Sequence, residues 1–204
     1  MALATYADLQ ASIANWAHRT DLTALIPDFV TMAEARISRD LRLRKQITTT
    51  TLTTVALTQS VALPADWLEL ENLSVAITPE RPLSYATIEQ LDARFPSGSY
   101  TGVPALYTIE GDNILLGPIP DSAYTLNIIY YARFPSLITD STNWLLTNHP
   151  GVYLWSTLIE AMQYAQDPAN MQVYQGRYVE ALNLLQQQDD AATHSGSALR
   201  VRAI

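Results

Sequence analysis

Three histidines, His18, His149 and His194, and two close carboxylate pairs, Glu69/Glu71 and Asp189/Asp190, are the side chains whose types could do acid–base or metal chemistry. A bound transition metal needs imidazole, thiolate or carboxylate ligands at short, regular spacings. The histidines have no such spacing with one another or with carboxylates. Glu69 and Glu71 are two residues apart, which on a regular strand puts both on one face, where they could pair as the acid and base of a glycosidase. Carboxylates beside a turn are more commonly solvated, and Asp189-Asp190 reads as a fraying helix end. The chain contains no Gly-x-Ser-x-Gly elbow, phosphate loop or dinucleotide fingerprint. It also has no cysteine, which rules out disulfides and thiolate ligands. No cofactor, no metal and no enzymatic reaction are expected.

The remaining chemistry is that of recognition. Eleven of the twelve basic residues are arginine, with Lys45 the exception. Arginine makes bidentate, weakly hydrated contacts suited to buried interfaces, whereas lysine suits free surface. Arg36, Arg39, Arg42 and Arg44 crowd the end of an expected helix. Cations there satisfy the helix macrodipole, and they could equally meet acidic groups on a neighbouring subunit. Charged residues are only 16% of the chain, against about a quarter in an average domain, and a surface this neutral suits a protein enclosed in a larger object. Net charge is −8 and uneven, with three basic and nine acidic residues over 46–135. General duplex binding, which rests on phosphate contacts, does not fit that balance.

These residues need elements to hold them. Thr5 to Asp8 has capping-box spacing, and Leu9, Ile13 and Trp16 continue it as a helix to about His18. Phe29, Ala33, Ile37 and Leu41 fall four apart behind a first-turn Pro27, giving a second helix with one apolar stripe. From Gln46 the texture changes to β-branched strand. Ile47–Val55, Ser60–Leu63, Trp67–Glu71, Leu73–Ile77 and Pro82–Tyr85 read as strands. A short helix capped by Thr87 follows, then a hairpin turning at Gly111 to Asn113, and Ala123 to Arg133 as the longest strand. Pro150–Tyr164 and a helix from Pro168 to about Asp190 form an antiparallel pair. The expected class is α+β: a helical bundle from residues 1–45 and 136–191, an inserted antiparallel β-sandwich or barrel-like domain at 46–135, and an extended C-terminal arm at 192–204. No signal peptide and no run long enough to span a bilayer is visible, as expected of a protein made in a cytoplasm.

The arm is small and polar, then alternates apolar and basic: Leu199, Arg200, Val201, Arg202, Ala203, Ile204. Alternation marks a strand with one face buried, and nothing local is there to pair with it. Thirteen extended residues reach about 43–47 Å. Ser197, Leu199, Arg200, Val201, Arg202 and Ile204 are therefore expected to dock onto a partner.

Thr5-Tyr-Ala-Asp-Leu-Gln with Trp16, Leu25-Ile-Pro-Asp-Phe, Ala33-Glu-Ala-Arg-Ile37 with Arg39 and Arg42, Leu63-Pro-Ala-Asp-Trp-Leu68, and Pro104, Tyr107, Gly111 with Ile114 to Pro120 follow one another in order. With Tyr130-Tyr131 and the closing helical pair, this order resembles the head-to-tail adaptor proteins of short-tailed bacteriophages over nearly the whole chain. The resemblance implies a structural virion protein at the head–tail interface, assembled in the host cytoplasm. It implies a self-associating ring, commonly of twelve copies, beneath the portal protein. Such a ring extends the channel through which genomic DNA passes without specific binding, and offers a platform for the tail nozzle or tube and for fibres. It also implies that the arm lies along the portal. Two other classes stay open: a virion β-sandwich that binds a receptor or carbohydrate through Tyr85, Tyr100, Tyr107 and Trp67, and a hydrolase using Glu69 and Glu71.

Overall fold

Local signals start and stop the helices. Thr5 caps α1 (Tyr6–Ala17) reciprocally: its hydroxyl accepts from the Asp8 amide at 3.2 Å, and the Asp8 carboxylate accepts from the Thr5 amide at 3.1 Å. His18 ends the helix in the left-handed region, φ 49°. A single 3₁₀ turn, Thr23–Leu25, leads into α2 (Ile26–Asp40), with proline in its first turn. Further along, Thr87 and Gln90 form a second capping box on α3 (Ile88–Arg94). The structure, a computed structural model, describes residues 3–19, 21–96 and 100–193.

The chain divides into two units, Met1–Arg44 with Phe134–Ile204, and Lys45–Arg133. The first is helical. It holds α1 and α2, then α4 (Trp144–Asn148), α5 (Pro150–Tyr164) and α6 (Pro168–Thr193). Helix α5 is its centre, packing against α1, α2 and α6, and buries nine of its fifteen residues, Leu154, Leu158, Ala161 and Met162 among them. The α2 stripe of Phe29, Ala33, Ile37 and Leu41 is buried, as are Tyr174, Tyr178, Leu182 and Leu185 of α6. Burying a side chain of this size contributes roughly 1.5–3 kcal/mol, which places the unit's stability in these facing stripes. The segment that leads into α5 contains the short α4. Asn143 starts that helix by accepting from the Leu146 amide at 2.9 Å, while its side-chain amide donates to the Pro135 carbonyl and the Tyr153 hydroxyl.

Among its described residues the second unit has eight strands in two four-stranded sheets. One runs β1-β8-β3-β4 and is antiparallel: β1 (Ile47–Thr53), β8 (Thr125–Ala132), β3 (Trp67–Val75) and β4 (Arg81–Pro82). The other runs β2-β7-β6-β5: β2 (Ser60–Ala62), β7 (Asn113–Gly117), β6 (Leu106–Glu110) and β5 (Ser84–Tyr85). Val61, Ile114 and Leu116 from one sheet share a core with Leu73, Val75, Leu126, Ile128 and Tyr130 from the other. This is the sandwich alternative, since neither sheet closes into a barrel. Gly117 gives α3 a close approach to β7: a Cβ there would stand 2.6 Å from Leu91 Cδ1 and 2.8 Å from Phe95 Cδ2.

Several expectations need correction. Trp67–Glu71 and Leu73–Ile77 are one strand, β3, which at nine residues is longer than β8 at eight. Its ladder slips between Trp67 and Glu69 and again between Leu70 and Asn72; these irregularities hid its continuity, because they break the period of two. Pro82–Tyr85 is two strands in different sheets, the chain crossing at buried Leu83. Strand β5 pairs parallel with β6, so this sheet is mixed. Finally, α6 continues through Thr193, placing Ala192 and Thr193, expected to open the arm, in the helix.

Candidate assembly surfaces

The basic end of α2 resolves into four different situations. Arg36 donates through Nε, at 3.0 Å, and through its terminal nitrogen to Glu160 Oε1 on α5, with both side chains mostly buried. The Arg42 guanidinium donates to the Ser38 and Leu41 carbonyls at 2.6 and 2.8 Å, closing the helix end. Arg44 is tied to the Asp189 carboxylate of α6 through its backbone amide at 3.0 Å and its guanidinium at 3.1 Å. Arg39 pairs with its neighbour Asp40, at 3.3 Å, and is 71% exposed. Of the four, Arg39 presents its charge outward.

Ser197, Leu199, Arg200, Val201, Arg202 and Ile204 lie outside the described residues, as does His194. His18 is the exposed left-handed cap of α1. His149 sits between α4 and α5 against Trp144, ring centres 5.4 Å apart, and partial burial lowers its pKa. No cluster of three or more histidine, cysteine or carboxylate side chains suited to a metal occurs among the described residues. Glu69 pairs with Tyr131 across the ladder, whereas Glu71 falls at the Leu70/Asn72 slip with no partner position on β8. The two-residue spacing therefore does not place them as a regular strand would, and both are exposed.

The tyrosines considered for carbohydrate binding do not form a flat platform. Tyr85 and Tyr107 meet edge to face at 5.7 Å, Phe95 and Tyr100 likewise at 6.3 Å, and the Trp67 indole N–H is buried without a partner.

Three surface features were not read from sequence. On the outer face of the first sheet, Glu80 accepts from the Ser74 hydroxyl at 2.5 Å and from the Asn127 amide at 2.7 Å, bonds that hold its carboxyl below its usual range. Thr49, Asn72, Pro82 and Ile129 complete an open polar depression around them. On the helical unit, Trp155 stacks on Tyr174 at 5.9 Å, meets Trp16 edge-on at 5.1 Å, and carries the Arg177 guanidinium 5.0 Å above its ring. The third is a loop tip. Val55 and Leu57, 63% and 75% exposed, project between β1 and β2, with Leu57 at φ 62°. None of the three carries a local signal; a turn without glycine or asparagine ordinarily keeps φ negative, so the left-handed Leu57 is set from outside the turn.

No helix among the described residues is long and apolar enough to cross a membrane. No curated protein matches the chain. An outward Arg39, the Trp155 cluster and the Val55–Leu57 tip are surface features of the kind that meet other proteins. The family comparison agrees: residues 4–202 match the SU10 adaptor protein family, so this chain belongs to that family of bacteriophage head–tail adaptors.

Proposed function

We propose that this protein forms a ring beneath the portal, extends the DNA channel, and gives the tail nozzle and fibres their attachment platform. The observation that carries this reading is the reach of the family match, which spans both units and continues to residue 202. Ser197, Leu199, Arg200, Val201 and Arg202 thus fall inside the shared pattern. Their alternation suits addition to a strand edge or seating in a groove of the portal protein. A weak contact of this kind is multiplied around a ring by effective concentration, commonly across twelve copies. Arg39 is the member of the basic group best placed to meet a neighbouring subunit. The β-unit's excess of carboxylates suits a channel wall along which DNA slides, since a basic wall would retain phosphate.

Truncation after Thr193 tests this reading, because it keeps α6 whole. The shortened chain should match the full chain in circular dichroism and melting, yet lose co-purification with the portal protein of the same virion. Portal binding at full-length affinity would overturn the docking role of the arm.

A further inference from the structure

We propose that the free edge of β1, continued by the Val55–Leu57 tip, is a contact between copies of this chain. The proposal rests on the self-association in the reading above; one edge used by both copies closes as a pair, so it joins copies two by two and the ring closes through another surface.

Edge strands expose unpaired backbone donors and acceptors, and proteins blunt them by shortness, charge or proline. Three of the four sheet edges here are blunted. Strand β4 has two residues, Arg81 and Pro82, β5 has two, and β2 has three. Strand β1 is different: it is seven residues long, Ile-Thr-Thr-Thr-Thr-Leu-Thr, and among the described residues it pairs on one side only, with β8. It contains neither charge nor proline. Its outward side chains Ile47, Thr49, Thr51 and Thr53 are all exposed.

The tip adds a second, independent observation. Thr58 N–H donates to the Val55 carbonyl at 3.1 Å, closing a turn with Leu57 at its third position. Positive φ at that position ordinarily calls for glycine or asparagine, and for a large side chain it is an outlier. The conformation is held from outside the turn. Leu57 N–H donates to the Pro120 carbonyl at 2.8 Å, and buried Thr54 bonds both the Ser122 carbonyl and the Tyr124 amide. A strained backbone thus presents a leucine that the chain itself leaves 75% exposed. Strain of this kind collects where structure serves contact.

Charge favours a second copy as the occupant. Each chain carries −8, so two copies meeting through acidic surface repel. Gln46–Ala65, twenty residues containing β1 and the tip, is the longest stretch without a charged side chain. Identical chains can meet there without opposing like charges.

Sedimentation velocity on the full chain, at concentrations up to about 0.5 mM, tests this, since a contact with Kd near 0.1 mM registers there. The wild type should self-associate. Thr51→Lys, which puts an ammonium on the bare edge, should weaken association about tenfold or more. Leu57→Gly, which relieves the left-handed φ and deletes the knob, should weaken it while melting no lower than wild type. Association unchanged in both variants, or absent in the wild type, overturns the proposal. A β1-dependent dimer is the result that supports the contact, because one edge used by both copies closes as a pair; the ring is tested separately, by the arm truncation.

Discussion

Removal of the Arg36 guanidinium separates the two roles its sequence position suggested. Arg36 and Glu160 are 23% and 12% exposed and share two hydrogen bonds. Replacing Arg36 by methionine keeps the aliphatic stem but strands the Glu160 carboxylate. Stranding a fully buried charge costs about 3–5 kcal/mol and an exposed pair is worth about 0–1, so this screened pair should cost about 2 kcal/mol. A chain of this size loses roughly 2–4 °C of melting temperature per kcal/mol, which predicts a fall of about 4–8 °C by calorimetry. Arg39→Glu, at an exposed site, should shift melting by about 1 °C or less, corresponding to the usual ±0.5 kcal/mol of surface changes. A double-mutant cycle with Glu160→Gln should recover most of the Arg36 effect as coupling. If Arg36→Met melts with the wild type and shows no coupling to Glu160, the intrachain pair does not hold this helix and the reasoning fails.

Burial raises the phenol pKa of Tyr130 to about 12, with the Asp66 carboxylate adding to it, and burial likewise raises Tyr153 and Tyr178. The unfolded chain releases these protons near pH 10 while the folded chain retains them. Their contribution is therefore intact below pH 10 and is lost as pH rises through the raised values; absorbance at 295 nm should show a late-titrating fraction that unfolds the chain as it ionises, and a single transition near 10 would contradict this. Gly117→Ala should cost the β-unit about 1–3 kcal/mol through overpacking against Leu91 and Phe95, read as a lower urea midpoint, and an unchanged midpoint would show that those side chains yield freely.

Local chemistry was legible where it did not depend on distant partners. The α5 limits follow from Pro150 and a 3.6-residue apolar period, and the α3 cap from Thr87. The Gly111-Asp112 hairpin was also visible, being closed by Glu110 opposite Asn113. What escaped was set by the third dimension. The slips in β3 answer to β8, more than fifty residues later. The crossing at Leu83 exists because two sheets compete for one short segment. At the candidate interface, helix-end electrostatics described Arg42 correctly. It could not identify Glu160 and Asp189 as partners of Arg36 and Arg44, because those contacts join residues 124 and 145 positions apart.

The first and last strands of the inserted unit are neighbours, with Ile47 opposite Tyr131 and Thr53 opposite Thr125. Both chain crossings therefore leave from the same end of one antiparallel pair. Tension applied at residues 45 and 133 meets the β1–β8 hydrogen bonds one rung at a time, as in opening a zipper, because they run across the strands and give way in succession. The same strands pulled from opposite ends would resist together. A pull on its two tethers thus opens the unit progressively from the Ile47–Tyr131 rung, before the Leu73–Val75 part of the core is disturbed.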